Sequence, residues 1–238
     1  MTEDQISSCI VHTLFSPACG TKQIDKLCKE AVEYKFGAVC VNPVYVHQSA
    51  LRVKGTGVAV CSTVSFPFGA SNPSGKAAEA VYAVEDGADA VAMVLDISAA
   101  REKKFTDVQN DIAGVVTAVH SAGEKKQKLI RTAVILETCY LTDDQITECC
   151  FCAERAGAEF VCTCTGFGVP KSSDGSDQPN GASIHHVELM HNAIGGRLGI
   201  VANGGIRSAR TASDLIKAGA TLIAASSSLT ILANWSSC

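Results

Sequence analysis

Eight short apolar runs alternate with helical stripes along this chain of 238 residues, and most of the runs end in glycine or small polar residues. The runs Ile10–Leu14, Ala38–Asn42, Val58–Val64, Ala90–Asp96, Ile130–Leu136, the stretch opening at Ala158, Leu198–Ala202 and Thr221–Ala225 read as buried strands. Between them, Thr21–Phe36 sets Ile24, Leu27, Cys28, Ala31 and Val32 on one helical face and stops at Gly37. Phe105–Ser121 repeats the pattern with Val108, Ile112, Val115, Val116 and Val119, and further helices are expected around Tyr45–Lys54 and over Ser74–Asp86, Asp143–Ala156, Ser183–Ala193 and Thr211–Ala218. A short helix over Thr2–Cys9 is opened by the capping pair Thr2 and Gln5. Strands that alternate with helices through right-handed crossovers form a parallel sheet, and eight of them close it. The expected fold is therefore α/β: a single (β/α)8 TIM barrel over residues 1–238 with a short N-terminal helix.

With 47% hydrophobic residues the chain can bury a large core in one domain. A net charge of −4 and a pI near 5.9 offer no basic field for nucleic acid. No apolar run reaches the length of a membrane span, and no basic segment leads into an amino-terminal apolar one. Neither nucleic acid nor membrane is an expected partner, and the expected location is the cytoplasm. The twelve cysteines are then expected to be free thiols used as small core residues. Cys149, Cys150 and Cys152 share a helical pattern with only weak metal spacing, so neither a structural metal nor any cofactor is expected.

The stretch Ala158-Glu159-Phe160-Val161-Cys162-Thr163-Cys164-Thr165-Gly166-Phe167-Gly168 runs from a strand into a tight loop. It resembles the sixth strand of the deoxyribose-phosphate aldolase family, Ala-Asp-Phe-Val-Lys-Thr-Ser-Thr-Gly-Phe-Gly. Further matches are Ser65-Phe66-Pro67-Phe68-Gly69-Ala70, Glu137-Thr138-Cys139-Tyr140-Leu141-Thr142 and Gly204-Gly205-Ile206-Arg207, and the resemblance covers about residues 6 to 232. It implies a class I aldolase barrel whose lysine forms a Schiff base with substrate, helped by a second lysine and by a carboxylate and lysine that relay protons. At the matching places this chain has Cys162 for the Schiff-base lysine, Val201 for the second lysine, Ala92 and Val11 for aspartates and Ala133 for the remaining lysine. A thiolate can add to a carbonyl but cannot form the protonated imine that serves as electron sink. Five exchanges to small or apolar residues are what relaxed selection leaves, because they remove the desolvation cost of buried charge.

The reading that follows is a divergent aldolase-like pseudoenzyme with a retired active site, predicted to be inactive on 2-deoxyribose 5-phosphate. The alternative is an active lyase that releases glyceraldehyde 3-phosphate and acetaldehyde through an unrecognised lysine, Lys171 being the candidate after the sixth strand. The resemblance also implies a phosphate site, for which Gly166, Gly204, Gly205, Ser226 and Ser227 are the matching residues, although glycine turns serve the backbone as well. A cysteine-centred site built from Cys162 and Cys164 with Cys40 and His12 was the remaining chemical option, without a carboxylate visibly placed to activate it.

Because aldolases as a class also serve as scaffolds, a phosphorylated small molecule or anion, a protein partner such as the cytoskeletal filament actin, and a homodimer are the candidate partners. Lys125–Lys128 with Arg101, Lys103 and Lys104 form the basic cluster that could meet an acidic surface. The polar stretch Val169–Asn180 is expected to be a mobile insertion beside the barrel mouth.

Overall fold

Eight parallel strands pair in chain order and the eighth returns to the first, so the sheet is a closed barrel. The computed structural model describes residues 1–172 and 174–235. The strands are β1 (Ile10–Leu14), β2 (Ala38–Val41), β3 (Ala59–Val64), β4 (Ala90–Val94), β5 (Arg131–Ile135), β6 (Phe160–Cys162), β7 (Gly199–Asn203) and β8 (Leu222–Ala225). The helices are α1 (Glu3–Cys9), α2 (Thr21–Glu33), α3 (Val46–Val53), α4 (Pro73–Glu85), α5 (Ile97–Arg101), α6 (Phe105–Lys125), α7 (Asp143–Arg155), α8 (Ile184–Ile194), α9 (Ala209–Lys217) and α10 (Ser228–Ala233). The TIM-barrel expectation is met. Two short helices, α5 and α10, carry too few residues for a periodic stripe and have no signature in the sequence.

Local chemistry sets the helix starts. The hydroxyls of Thr2 and Thr142 each accept a backbone N–H from the glutamine three residues on, and that glutamine side chain accepts the cap's own N–H, closing a box at α1 and α7. Outward-facing strand residues such as Val39, Val60, Val91, Met93, Val161 and Ile200 pack against the helices and form the main core. Trp235 closes the far end, packed into that core with its indole N–H on the Met1 carbonyl.

Inside the barrel the pattern differs from the bulky branched layers that usually fill such an interior. Ala38, Ala59, Ala90, Ala92, Ala133 and Ala224 face inward, and the small side chains leave a chamber of ≈ 220 Å³. At the carboxyl end of the strands the loops approach closely. A Cβ on Gly69 would lie 2.0 Å from the Leu95 carbonyl oxygen and φ there is +65°, so only glycine fits.

Lys125–Lys128 and the Arg101, Lys103 and Lys104 group do not form one surface. They lie at opposite ends of α6, whose 21 residues separate them by about 30 Å. Lys126 donates to the Glu85 carbonyl and Lys128 pairs with Asp89 at 2.7 Å, so these two cations hold α6 to the end of α4. No helix among the described residues is long and apolar enough to cross a membrane.

Candidate active site at the barrel mouth

Parallel pairing places Ala92 beside Ala133, Ile135 beside Cys162, Cys162 beside Val201 and Val11 beside Ala224. All five positions singled out from the sequence, Val11, Ala92, Ala133, Cys162 and Val201, line the one inner chamber. Only Cys162 is the last residue of its strand; the other four sit two or three residues short of the strand ends. They therefore form the floor beneath the mouth rather than its rim. The floor is apolar: Val94, Ile135, Cys162, Val201 and Ala224 make a cluster of their own, separate from the main core.

The environment here holds the thiols protonated. Burial, with Cys164 and Glu137 nearby, pushes the Cys162 thiol well above its usual range. Cys61 faces Cys40 across β2 and β3, and a hydrogen bond between the two thiols, together with burial, pushes Cys40 up as well. Two expectations for a cysteine site are corrected. Cys164 does not share the Cys162 face, because β6 ends at Cys162; its sulfur lies 3.3 Å from the Thr138 hydroxyl, outside the chamber, with its thiol raised to about 11. His12 points out of the barrel, between the Ser228 hydroxyl at 3.0 Å and the Glu30 carboxylate at 3.1 Å. The eleven described cysteines are free, Cys149, Cys150 and Cys152 being buried on α7; Cys238 lies outside the described residues.

Above the floor opens a cavity of ≈ 490 Å³, lined by the loops after β1, β6, β7 and β8. Gly166, Gly204, Gly205 and Ser226 meet in it, as expected for an anion site. Ser227 is not among the lining residues and stands at the start of α10. Gly204 has φ +102°, and a Cβ there would press to 3.2 Å from Gly181 and 3.4 Å from Cys164. Arg207, which the sequence reading quoted only within its motif, also lines the cavity and makes no ion pair with any described residue. Thr13, Phe15, Asn203 and Ala224 border both this cavity and the chamber, so the two spaces adjoin.

Glu137 is the one buried acid of the mouth. It takes the left-handed conformation, φ 55° and ψ 57°, and its carboxylate accepts the Thr165 amide at 2.8 Å and the Cys139 thiol at 3.3 Å. Burial pushes its carboxyl up against these contacts. It lines a smaller cavity of ≈ 240 Å³ with Arg101, Tyr140 and Phe167. Phe66 lies between Phe15, tilted at 4.8 Å, and Phe167, edge-on at 5.4 Å, an apolar ridge at the mouth.

The insertion at Val169–Asn180 is folded more than its composition suggests. An antiparallel bridge joins Lys171 to Asp177, the two side chains pair, and the Ser172 amide donates to Ser176. Its base is fixed at the mouth: Asn180 donates to the Gly168 carbonyl, the Val169 amide donates to the Tyr140 hydroxyl, and the Ala182 amide donates to the Gly204 carbonyl. Lys171 is thereby held by Asp177 and lines none of the three cavities described above. The deeply buried lysine is another, Lys76 on α4, whose ammonium sits 2.6 Å from Asp111 and 3.0 Å from the Val94 carbonyl on the outer side of β4.

No protein-family model matches the chain. A deoxyribose-phosphate aldolase of Thermoanaerobacter sp. (strain X514) is 42% identical over 230 residues, covering 97% of this chain and 96% of that protein. One from Clostridium perfringens (strain 13 / Type A) is 39% identical over 231 residues, with 97% and 96% covered. Among solved structures, the tetrameric deoxyribose phosphate aldolase from Aeropyrum pernix superposes with a TM-score of 0.86 at 28% identity, over 99% of this chain and 93% of that one.

Proposed function

This chain belongs to the deoxyribose-phosphate aldolase family, and from that premise we propose that it binds a phosphorylated metabolite at the barrel mouth without cleaving 2-deoxyribose 5-phosphate through a Schiff base. The observation that carries this reading is the composition of the floor. Val11, Ala92, Ala133, Cys162 and Val201 line it, and no lysine lines it or either mouth cavity. An imine needs an amine within bonding reach of the substrate carbonyl, and a proton relay needs groups that titrate. The floor supplies a protonated thiol in their place. What remains suited to a ligand is the upper cavity, where glycine turns, Ser226 and Arg207 can meet a phosphate and the adjoining chamber can take its carbon body.

A second reading is favoured by the relatives, all of those above being named as aldolases: the chain is an active lyase that yields glyceraldehyde 3-phosphate and acetaldehyde. One experiment separates the two. The protein is incubated with 2-deoxyribose 5-phosphate and borohydride, and its intact mass is read beside a coupled assay for glyceraldehyde 3-phosphate. The binding reading expects an unmodified chain and no turnover, with calorimetric binding of 2-deoxyribose 5-phosphate that Arg207→Ala weakens. A trapped adduct on any lysine together with turnover establishes the lyase.

A further inference from the structure

Outside the mouth, three metal-ligating side chains converge where α7 and α8 begin. Asp143 is the first residue of α7, and His185 and His186 lie in the first turn of α8. The His185 Nε2 is 2.8 Å from the Asp143 Oδ2, and one ligand atom from each of the three residues falls within 4.8 Å of the others. Among the described residues no other group of three His, Cys, Asp or Glu side chains meets so closely.

One further observation separates this group from an ordinary surface ion pair. The His186 Nδ1 is buried and has no hydrogen-bond partner among the described residues, which leaves a polar atom uncompensated unless something binds it.

We propose that Asp143, His185 and His186 form a binding site for a divalent transition-metal ion that ties the start of α7 to the start of α8. Two imidazoles and one carboxylate suit zinc and its borderline-soft neighbours rather than calcium or magnesium, which call for oxygen ligands alone. Tetrahedral ligands at ~2.0 Å from zinc stand ~3.3 Å from one another. The 2.8 Å contact between Asp143 and His185 would open by about 0.5 Å, and ligand atoms that lie up to 4.8 Å apart would close by up to about 1.5 Å. The positive ends of both helices oppose a cation here. Asp143 and its neighbour Asp144, both in the first turn of α7, supply the compensating charge. The fourth position is left for water or a ligand oxygen. The ion would also brace the mouth: three residues before Asp143 is Tyr140, which holds Val169, and three before His185 is Ala182, which holds Gly204.

Cobalt(II) is the probe, because its spectrum tells nitrogen and oxygen ligands from thiolates. The full-length reduced protein, freed of metal with a chelator, is titrated with Co²⁺ and then with Zn²⁺ in competition. The site expects one Co²⁺ per chain, visible d–d bands without thiolate charge transfer, and displacement by zinc. Asp143→Asn, His185→Gln and His186→Gln should each weaken the binding at least about tenfold, a change of roughly 1.4 kcal/mol. Circular dichroism and metal-free melting establish that each variant folds. The proposal is overturned by the absence of stoichiometric binding, by a thiolate spectrum, or by affinity unchanged in folded variants.

Discussion

Cys162 stands at the end of β6 in an apolar cluster with Val94, Ile135, Val201 and Ala224, and this decides what a single substitution there can do. Cys162→Lys places an amine at the matching position, but the matching places for the family's second lysine and proton relay remain Val201, Ala92, Ala133 and Val11. The charge of that amine is then disfavoured by burial. The variant should lose stability on the order of 3 kcal/mol and show no cleavage of 2-deoxyribose 5-phosphate; turnover above that of the parent protein in the coupled assay contradicts the proposed reading of the floor. Glu137 gives a prediction in pH. Its carboxyl is raised in the folded protein from an ordinary 4.5, so its contribution is fully present below that value and is lost as pH rises through the higher folded one. Glu137→Gln does not titrate. In urea unfolding from pH 4 to pH 7.5 the variant should therefore gain on the parent as pH rises, and a parallel dependence of the two proteins contradicts this.

At the scale of elements, the hairpin between Lys171 and Asp177 and its base make separate contacts. Asn180 and Ala182 hold the mouth, whereas the tip residues bond to one another. Deleting Ser172–Gln178 should leave the melting temperature nearly unchanged. A pull-down with intact and deleted protein tests the loop as a recognition element, equal partner recovery removing it. By contrast, the Thr142 box at the start of α7 satisfies the backbone N–H groups of Thr142 and Gln145. Thr142→Ala should cost about 1 kcal/mol in chemical denaturation, with the start of α8 affected through the Asp143 to His185 contact.

Across the whole molecule, the Lys76 to Asp111 pair is the deepest charge in the core and joins α4 to α6 beside β4. Burial pushes the Asp111 carboxyl up while Lys76 and the Asp96 amide pull it down, so the carboxylate depends on both partners. Lys76→Met should destabilise by about 3–5 kcal/mol because it leaves that carboxylate buried and unpaired. The double variant Lys76→Met with Asp111→Leu should recover much of the loss in the same denaturation experiment, short of the contact to the Asp96 amide. The barrel holds its cysteines apart or in the reduced state throughout the described residues. Thiol titration of the denatured, unreduced protein should therefore approach the full twelve of the sequence.

The strand and helix periods alone determined the barrel, its order and the apolar positions that fill it, because burial of one face is a local property of spacing. The motifs around Cys162, Glu137 and Gly204 were legible in the same way, as was their resemblance to the aldolases. Direction and depth were not legible. That His12 turns away from the barrel while Val11 turns in, that Cys164 leaves the face of Cys162, and that four of the five floor positions sit below the strand ends all depend on where each strand stops pairing. The pairing of Lys76 with Asp111 joins residues 35 apart, and the convergence of Asp143 with His185 and His186 joins two helices. Packing alone brings such residues within reach, and no periodicity along the chain records it.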